Sequence, residues 1–204
     1  MAVKVGRDIA EVISKILHPY VVLSLVVAAI AYHESPSPGV WAKWTTVSLL
    51  SAYLFPLIYM RARAAVVVRT TGVQVGLRSF FREQPSEMAL LACIFGIPSA
   101  TILYFLGYPS SMIALLVGVA ATALLIALVN RVYRASFHLA LFTSIVIPLS
   151  VIFGLPLLVV ILFILLLGVS RYYLGAHTPL QLATGFLLGL MVIIAVFHGF
   201  GILR

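Results

Sequence analysis

Imidazole and guanidinium groups are the side chains in this sequence best suited to chemistry, and they recur in short polar segments between long apolar runs. Two such segments read Ser136-Phe137-His138 and Ser170-Arg171-Tyr172-Tyr173-Leu174-Gly175-Ala176-His177-Thr178-Pro179-Leu180-Gln181, and a third holds Arg78 and Arg82. Imidazole serves as nucleophile or proton donor near neutral pH. Guanidinium offers paired donors to phosphate oxygens, and a serine hydroxyl adds one more contact. Such a set suits phosphoryl transfer, which needs positioning and cations around the equatorial oxygens. Only five carboxylates occur in the chain, and they form no acidic cluster of the kind that holds magnesium. Metal-dependent prenyltransferases and alcohol phosphotransferases are therefore disfavoured, and no metal or cofactor is expected.

The groups must be positioned by apolar helices. The 204-residue chain is 63% hydrophobic and 9% charged, with mean hydropathy +1.20, values that fit lipid rather than water as solvent. A crossing helix takes roughly 17 to 25 mostly apolar residues and pairs its backbone amides within itself. Seven runs are expected to cross: Ile16 to Tyr32, Trp44 to Met60, Met88 to Gly107, Ser111 to Asn130, Leu139 to Phe153, Leu155 to Ser170 and Leu180 to Leu203. The expected fold class is all-α, a polytopic transmembrane helix bundle of six to seven spans forming a single domain over residues 1–204. Asp8, Glu11 and Lys15 recur at helical spacing and suggest an interfacial approach to the first span. Glu34 to Gly39, Tyr108-Pro109-Ser110, and Gly154 with Pro156 read as turns. At 1.5 Å per residue the fifth and sixth runs reach only about 24 Å, so their ends should stop below the membrane surface or lean on longer neighbours.

An even number of spans separates the polar joints at 61–87, 131–137 and 171–179. That parity gathers Arg78, Arg82, Arg131, Arg134, His138, Arg171 and His177 on one face. With the N-terminus there too, only Lys43 and Arg204 of the 13 basic residues lie opposite, and the positive-inside rule makes the motif-bearing face cytoplasmic. The expectation is a multi-pass protein of the cell membrane. A net charge of +8 does not point to nucleic acid, because the charges sit in joints where lipid head groups or a phosphate substrate are nearer. Expected partners from this placement are membrane lipids and a phosphate-bearing substrate. Cys93 is the single cysteine, so no internal disulfide forms. No small-residue cleavage pattern follows Tyr32, and the first span reads as structure rather than a removed signal. Spans nearly free of charge, with no inverted repeat, disfavour a transporter. Arg61, Arg63, Arg131 and Arg134 read as snorkelling to head groups, and His18, His33 and His198 as interfacial or structural histidines.

Ser170-Arg171, five residues, His177, then three residues and Gln181 resembles the third motif of the type 2 phosphatidic acid phosphatase superfamily, in its membrane branch; that family has aspartate at the last place. Ser136-Phe137-His138 resembles its Pro-Ser-Gly-His motif, keeping the serine and histidine. The family's first motif, a lysine, six residues and Arg-Pro, has a looser counterpart in Leu77 to Ser86. There Arg78 stands at the lysine and Pro85 at the arginine, unless Arg82 takes that role through a local shift. The resemblance spans roughly residues 45 to 195.

The resemblance implies metal-independent phosphoryl transfer, with His177 attacking phosphorus, His138 protonating the leaving oxygen, and a phosphohistidine then hydrolysed. It implies phosphate contacts from Arg171, from Arg78 or Arg82, and from Ser136, with Ser170 and Gln181 in support. The substrates implied are lipid mono- or diphosphates: a phosphatidate, a lipid glycerophosphate or a polyprenyl phosphate. Phosphotransferases that pass the group to another alcohol fit the same residues. Gln181 departs from the family pattern, because an amide accepts one hydrogen bond but cannot stabilise an imidazolium by charge. Glu83 and Glu87 are the nearest carboxylates in the joints. Gln181 and Pro85 therefore keep open an alternative, a catalytically impaired homologue that binds lipid phosphate or serves as a partner subunit. Gly185 and Gly189 continue from Gln181 at four-residue steps and predict close approach of another helix.

Overall fold

The computed structural model describes residues 2–72 and 85–203, and these are helical with short connections and no strand. In order the helices are α1 (Ala2–Ile16), α2 (Pro19–Glu34), α3 (Pro38–Leu49), α4 (Phe55–Thr71), α5 (Pro85–Phe105), α6 (Ser110–Val129), α7 (Phe137–Phe153), α8 (Leu157–Tyr173) and α9 (Pro179–Gly199). Arg78, Arg82 and Glu83 lie outside the described residues.

Local chemistry sets the helix boundaries. Pro19, Pro38 and Pro179 open α2, α3 and α9 at the first helical position, where a missing N–H costs nothing. Pro19 also forces His18 into extended backbone (ψ 132°), so α1 and α2 meet at a 41° bend rather than as one rod. The apolar helix expected from Ile16 thus begins at Pro19, and α1 is a helix of its own. On α1, Val5, Ile9, Val12 and Ile16 form an exposed apolar stripe. Beside it runs a charged stripe in which Glu11 lies 3.9 Å from Arg7 and 4.0 Å from Lys15. That pattern suits the water–lipid boundary.

Between α3 and α4 the helix does not break. Pro56 lacks an N–H and crowds the preceding turn, and the backbone absorbs it in a single π turn over Leu50–Leu54. The result is a continuous 34-residue helix from Pro38 to Thr71, about 50 Å long and well beyond a hydrocarbon core of about 30 Å. This corrects the expectation that a polar joint starts at Arg61: Arg61, Arg63 and Arg69 ride on helix.

Among the described residues, Pro38–Thr71, Ser110–Val129 and Pro179–Gly199 are long and apolar enough to cross a membrane, and α1 with α2 adds a fourth if taken as one bent span. Leu91–Phe105, α7 and α8 are apolar but shorter. The described residues are therefore all-helical, with three to four helices of membrane-crossing length. Seven crossings go beyond what length and composition alone support.

The short α7 occupies the centre, packed by α2, α6, α8 and α9. Residues 139–148 are buried without a break, as expected of a helix apolar on every side. Its neighbour α8 turns Leu158, Leu162, Leu165 and Val169 outward. On α9, two glycines let its backbone come close to that of α7. A Cβ added to Gly185 would stand 2.5 Å from the Ser136 carbonyl oxygen, and one on Gly189 would overlap the carbonyl of Ala140. The two glycines bring the backbones together as their spacing suggests, and they hold the start of α9 against the start of α7.

Candidate active site

His177 is fixed from both sides. Behind it α8 ends in a Schellman turn: the Ala176 N–H donates to the Arg171 carbonyl at 3.0 Å and the Gly175 N–H to the Tyr172 carbonyl at 2.9 Å. Gly175 has φ +66°, a conformation that costs an L residue about 1–2 kcal/mol. Ahead of it α9 starts with a capping box. The Gln181 N–H donates to Thr178 Oγ1 at 3.4 Å, and the Thr178 N–H donates to Gln181 Oε1 at 3.1 Å. Gly175→Ala is accordingly expected to lower thermal stability modestly, by about 1 kcal/mol. If His177 takes part in a reaction, the effect on its rate should be larger, since the loop that aims His177 is the part that must distort. Parallel melting and rate measurements check this.

The side chain of Gln181 does a second job. Its Oε1 lies 3.3 Å from His177 Nδ1. Because the Thr178 N–H is a donor, the atom it meets must be the amide oxygen, so Nδ1 must carry the proton in the His177 contact. Nε2 is then the unprotonated ring nitrogen and keeps its lone pair. Burial holds the His177 pKa below the ordinary histidine value. The Gln181 hydrogen bond opposes that shift, and the positive fields of Arg171 and Arg134 reinforce it. Neutral imidazole is thus the resting form at pH 7.

The second motif meets the third through the backbone. The Ser136 N–H donates to the Gln181 carbonyl at 3.0 Å. Ser136 is fully buried, and its hydroxyl caps α7 by accepting from the Leu139 N–H at 3.4 Å. Ser136 thus has a structural part: its hydroxyl starts α7, and its backbone N–H ties that helix to α9. His138 lies two residues on, with its ring edge-on to that of His18 at a centroid separation of 5.1 Å. His18 caps α2, its Nδ1 accepting from the Tyr20 N–H at 3.4 Å.

Arg171 and Ser170 are held by α1. Ser170 Oγ donates to the Ala10 carbonyl at 2.7 Å, and Arg171 Nη1 donates to Ser14 Oγ at 3.4 Å. Arg171 Nε is buried and finds no hydrogen-bond partner among the described residues. A buried donor left unmet is worth about 1–3 kcal/mol to whatever acceptor reaches it, and an anionic oxygen is the strongest acceptor.

No family model, curated protein or solved structure matches this chain.

The structure gathers His177, Gln181, Arg171, Ser170, Ser136 and His138 at one end of the bundle, where α8 ends and α7 and α9 begin. Arg78 and Arg82 fall outside the described residues. Three contributors escape a reading of local pattern. Arg134, which looked like a head-group cation, is near enough to His177 to act on its protonation. Its joint is closed by Asn130, whose Oδ1 accepts from the Ala135 N–H at 2.8 Å. His18, which fits no motif, shares a ring contact with His138, and Ser14 holds Arg171. One signal was present: Gly6, Ala10 and Ser14 form a small-residue face at i, i+4, i+8, and all three meet the end of α8.

Proposed function

We propose that this chain is a membrane lipid phosphatase of the type 2 phosphatidic acid phosphatase superfamily, acting without metal on a phosphate monoester or diphosphate of a lipid. The observation behind the reading is the His177–Gln181 pair, which leaves the Nε2 lone pair on a neutral ring in the positive field of Arg171 and Arg134. In the proposed reaction Nε2 attacks phosphorus and the ester P–O bond breaks. The departing oxygen takes its proton from His138 and leaves as the lipid alcohol. Water then attacks the phosphohistidine and gives its proton to the now neutral His138, which restores Nε2 and releases inorganic phosphate. Arg171 meets the phosphate oxygens through its unmatched Nε, with Arg134 and either Arg78 or Arg82 adding charge. Ser136 and Ser170 keep their elements in place behind these groups.

The same proposal takes α5, α7 and α8 as crossings beside the longer helices, six to seven in all. The site then lies at the cytoplasmic face of the cell membrane. An apolar helix shorter than the bilayer is tolerated where neighbours cover it or lipid thins around it, and α7 is covered on all sides.

The test is inorganic phosphate release by detergent-purified protein with chelator present, using short-chain phosphatidate, lipid glycerophosphate and polyprenyl phosphate. Release in step with lipid alcohol is expected from at least one. Transfer of the phosphoryl group to an added alcohol, with little free phosphate, assigns a phosphotransferase instead. Gln181 favours the second reading, a lipid-phosphate-binding homologue with impaired chemistry, and binding without turnover of any substrate would establish it.

Gln181→Glu separates the two by charge while keeping the side-chain length. A carboxylate beside Nδ1 favours the protonated ring and raises the His177 pKa, so the acid limb of kcat/KM moves to higher pH. Above that limb kcat should rise by about tenfold, because the carboxylate stabilises the imidazolium-like transition state. A pH–rate profile for both proteins checks the two effects. An unmoved acid limb means that His177 is not the titrating nucleophile.

A further inference from the structure

Beneath the face that holds His138 and His177, a cavity of about 130 Å³ lies between α2, the α3–α4 helix, α5, α6 and α7. Its upper wall includes Tyr20 and Phe137. Phe137 immediately precedes His138, and the Tyr20 ring stacks on His18, whose own ring meets His138. Deeper in, the wall is Leu141, one turn along α7, with Ala123 and Leu116 on α6 and Ala92 on α5. Ala123 and Leu116 are seven residues apart, so the cavity follows α6 for about 10 Å toward the middle of the bundle. Small side chains make it narrow, and its walls are apolar apart from a few hydroxyls. Such a space favours hydrocarbon over water.

We propose that this cavity binds the head-proximal part of a single hydrocarbon chain of the lipid whose phosphate meets His177 and Arg171. This deepens the phosphatase reading and rests on it. In the proposed reaction the leaving oxygen takes its proton from His138, so the first carbons of the ester start beside Phe137, which adjoins His138 and lines the cavity. A linear chain such as an alkyl or polyprenyl group enters whole, whereas a two-chain lipid leaves its second chain in the bilayer.

The experiment is equilibrium binding of n-alkyl monophosphates of increasing length, below their micelle concentrations, to His177→Ala protein so that no turnover intervenes. The Kd should fall about fourfold per added methylene until the cavity is full, then level off. Ala123→Leu should bring the levelling to a shorter chain and Leu116→Ala to a longer one, with thermal melting confirming that each is folded. The opposed variants keep the test decisive if one of them fails to fold. A Kd that falls at one slope through the whole series, unchanged by either substitution, indicates partition into detergent and overturns the proposal. A break that moves as stated supports the cavity even if wild-type protein releases no phosphate, in which case only the phosphatase reading fails.

Discussion

His177→Ala is expected to reduce phosphate release by on the order of 10⁴-fold or more, because in the proposed reaction it removes the atom that bonds to phosphorus rather than a group that assists it. Stability should hardly change. The ring is only partly buried, and its hydrogen-bond partner Gln181 keeps the Thr178 amide in the capping box. Rate and melting temperature are thus expected to separate cleanly. Wild-type protein incubated with labelled substrate and quenched should yield an acid-labile, base-stable phosphoprotein, and the alanine variant none. Retention of a tenth or more of the wild-type rate would sink the nucleophile assignment, whatever the fate of the lipid.

Gly189→Val should give the largest loss of stability among single substitutions, about 3 kcal/mol. Helix propensity pushes the other way, since valine is the better helix former. The expected destabilisation therefore comes from packing alone: a Cβ at this position overlaps the Ala140 carbonyl. Moving α9 off α7 also lengthens the bond from the Ser136 N–H to the Gln181 carbonyl and carries His177 away from His138. Activity should accordingly fall even where the variant remains folded. Gly199→Val, at the far end of the same helix with nothing within 4 Å, is the control. Unfolding in mild detergent, followed by circular dichroism, distinguishes the two.

The apolar runs made the helical class legible, and the Gly185–Gly189 step announced the tight approach of the last helix. Turn residues at Tyr108 to Ser110 marked the α5–α6 reversal where the chain makes it. Boundaries were less readable where charge was mistaken for an end. Arg61 and Arg63 looked like a membrane edge, yet arginine and alanine are good helix formers, and the helix runs on to Thr71. Ser136 carried two readings at once. A serine just before an apolar run is an N-cap signal in its own right, and the structure uses the hydroxyl in that way. Motif spacing brought His177, Arg171 and Gln181 together because they share one turn and one helix start. His18, Ser14 and Arg134 were hidden because their places near the site depend on contacts between distant parts of the chain, which periodicity does not encode.

The bond from Ser170 to the Ala10 carbonyl joins residues 160 positions apart. During synthesis the first helix therefore leaves the ribosome long before the surface it will rest on exists. Its apolar stripe suits the lipid boundary, and its small-residue face finds α8 only after the helices between them have been made. Because Ser14 on that helix also holds Arg171, docking of α1 on the later-made α8 completes the cationic side of the candidate site. A chain in which α8 has yet to be made consequently lacks the Ser14–Arg171 contact and, with it, the arrangement that the proposed attack on phosphate lipids requires.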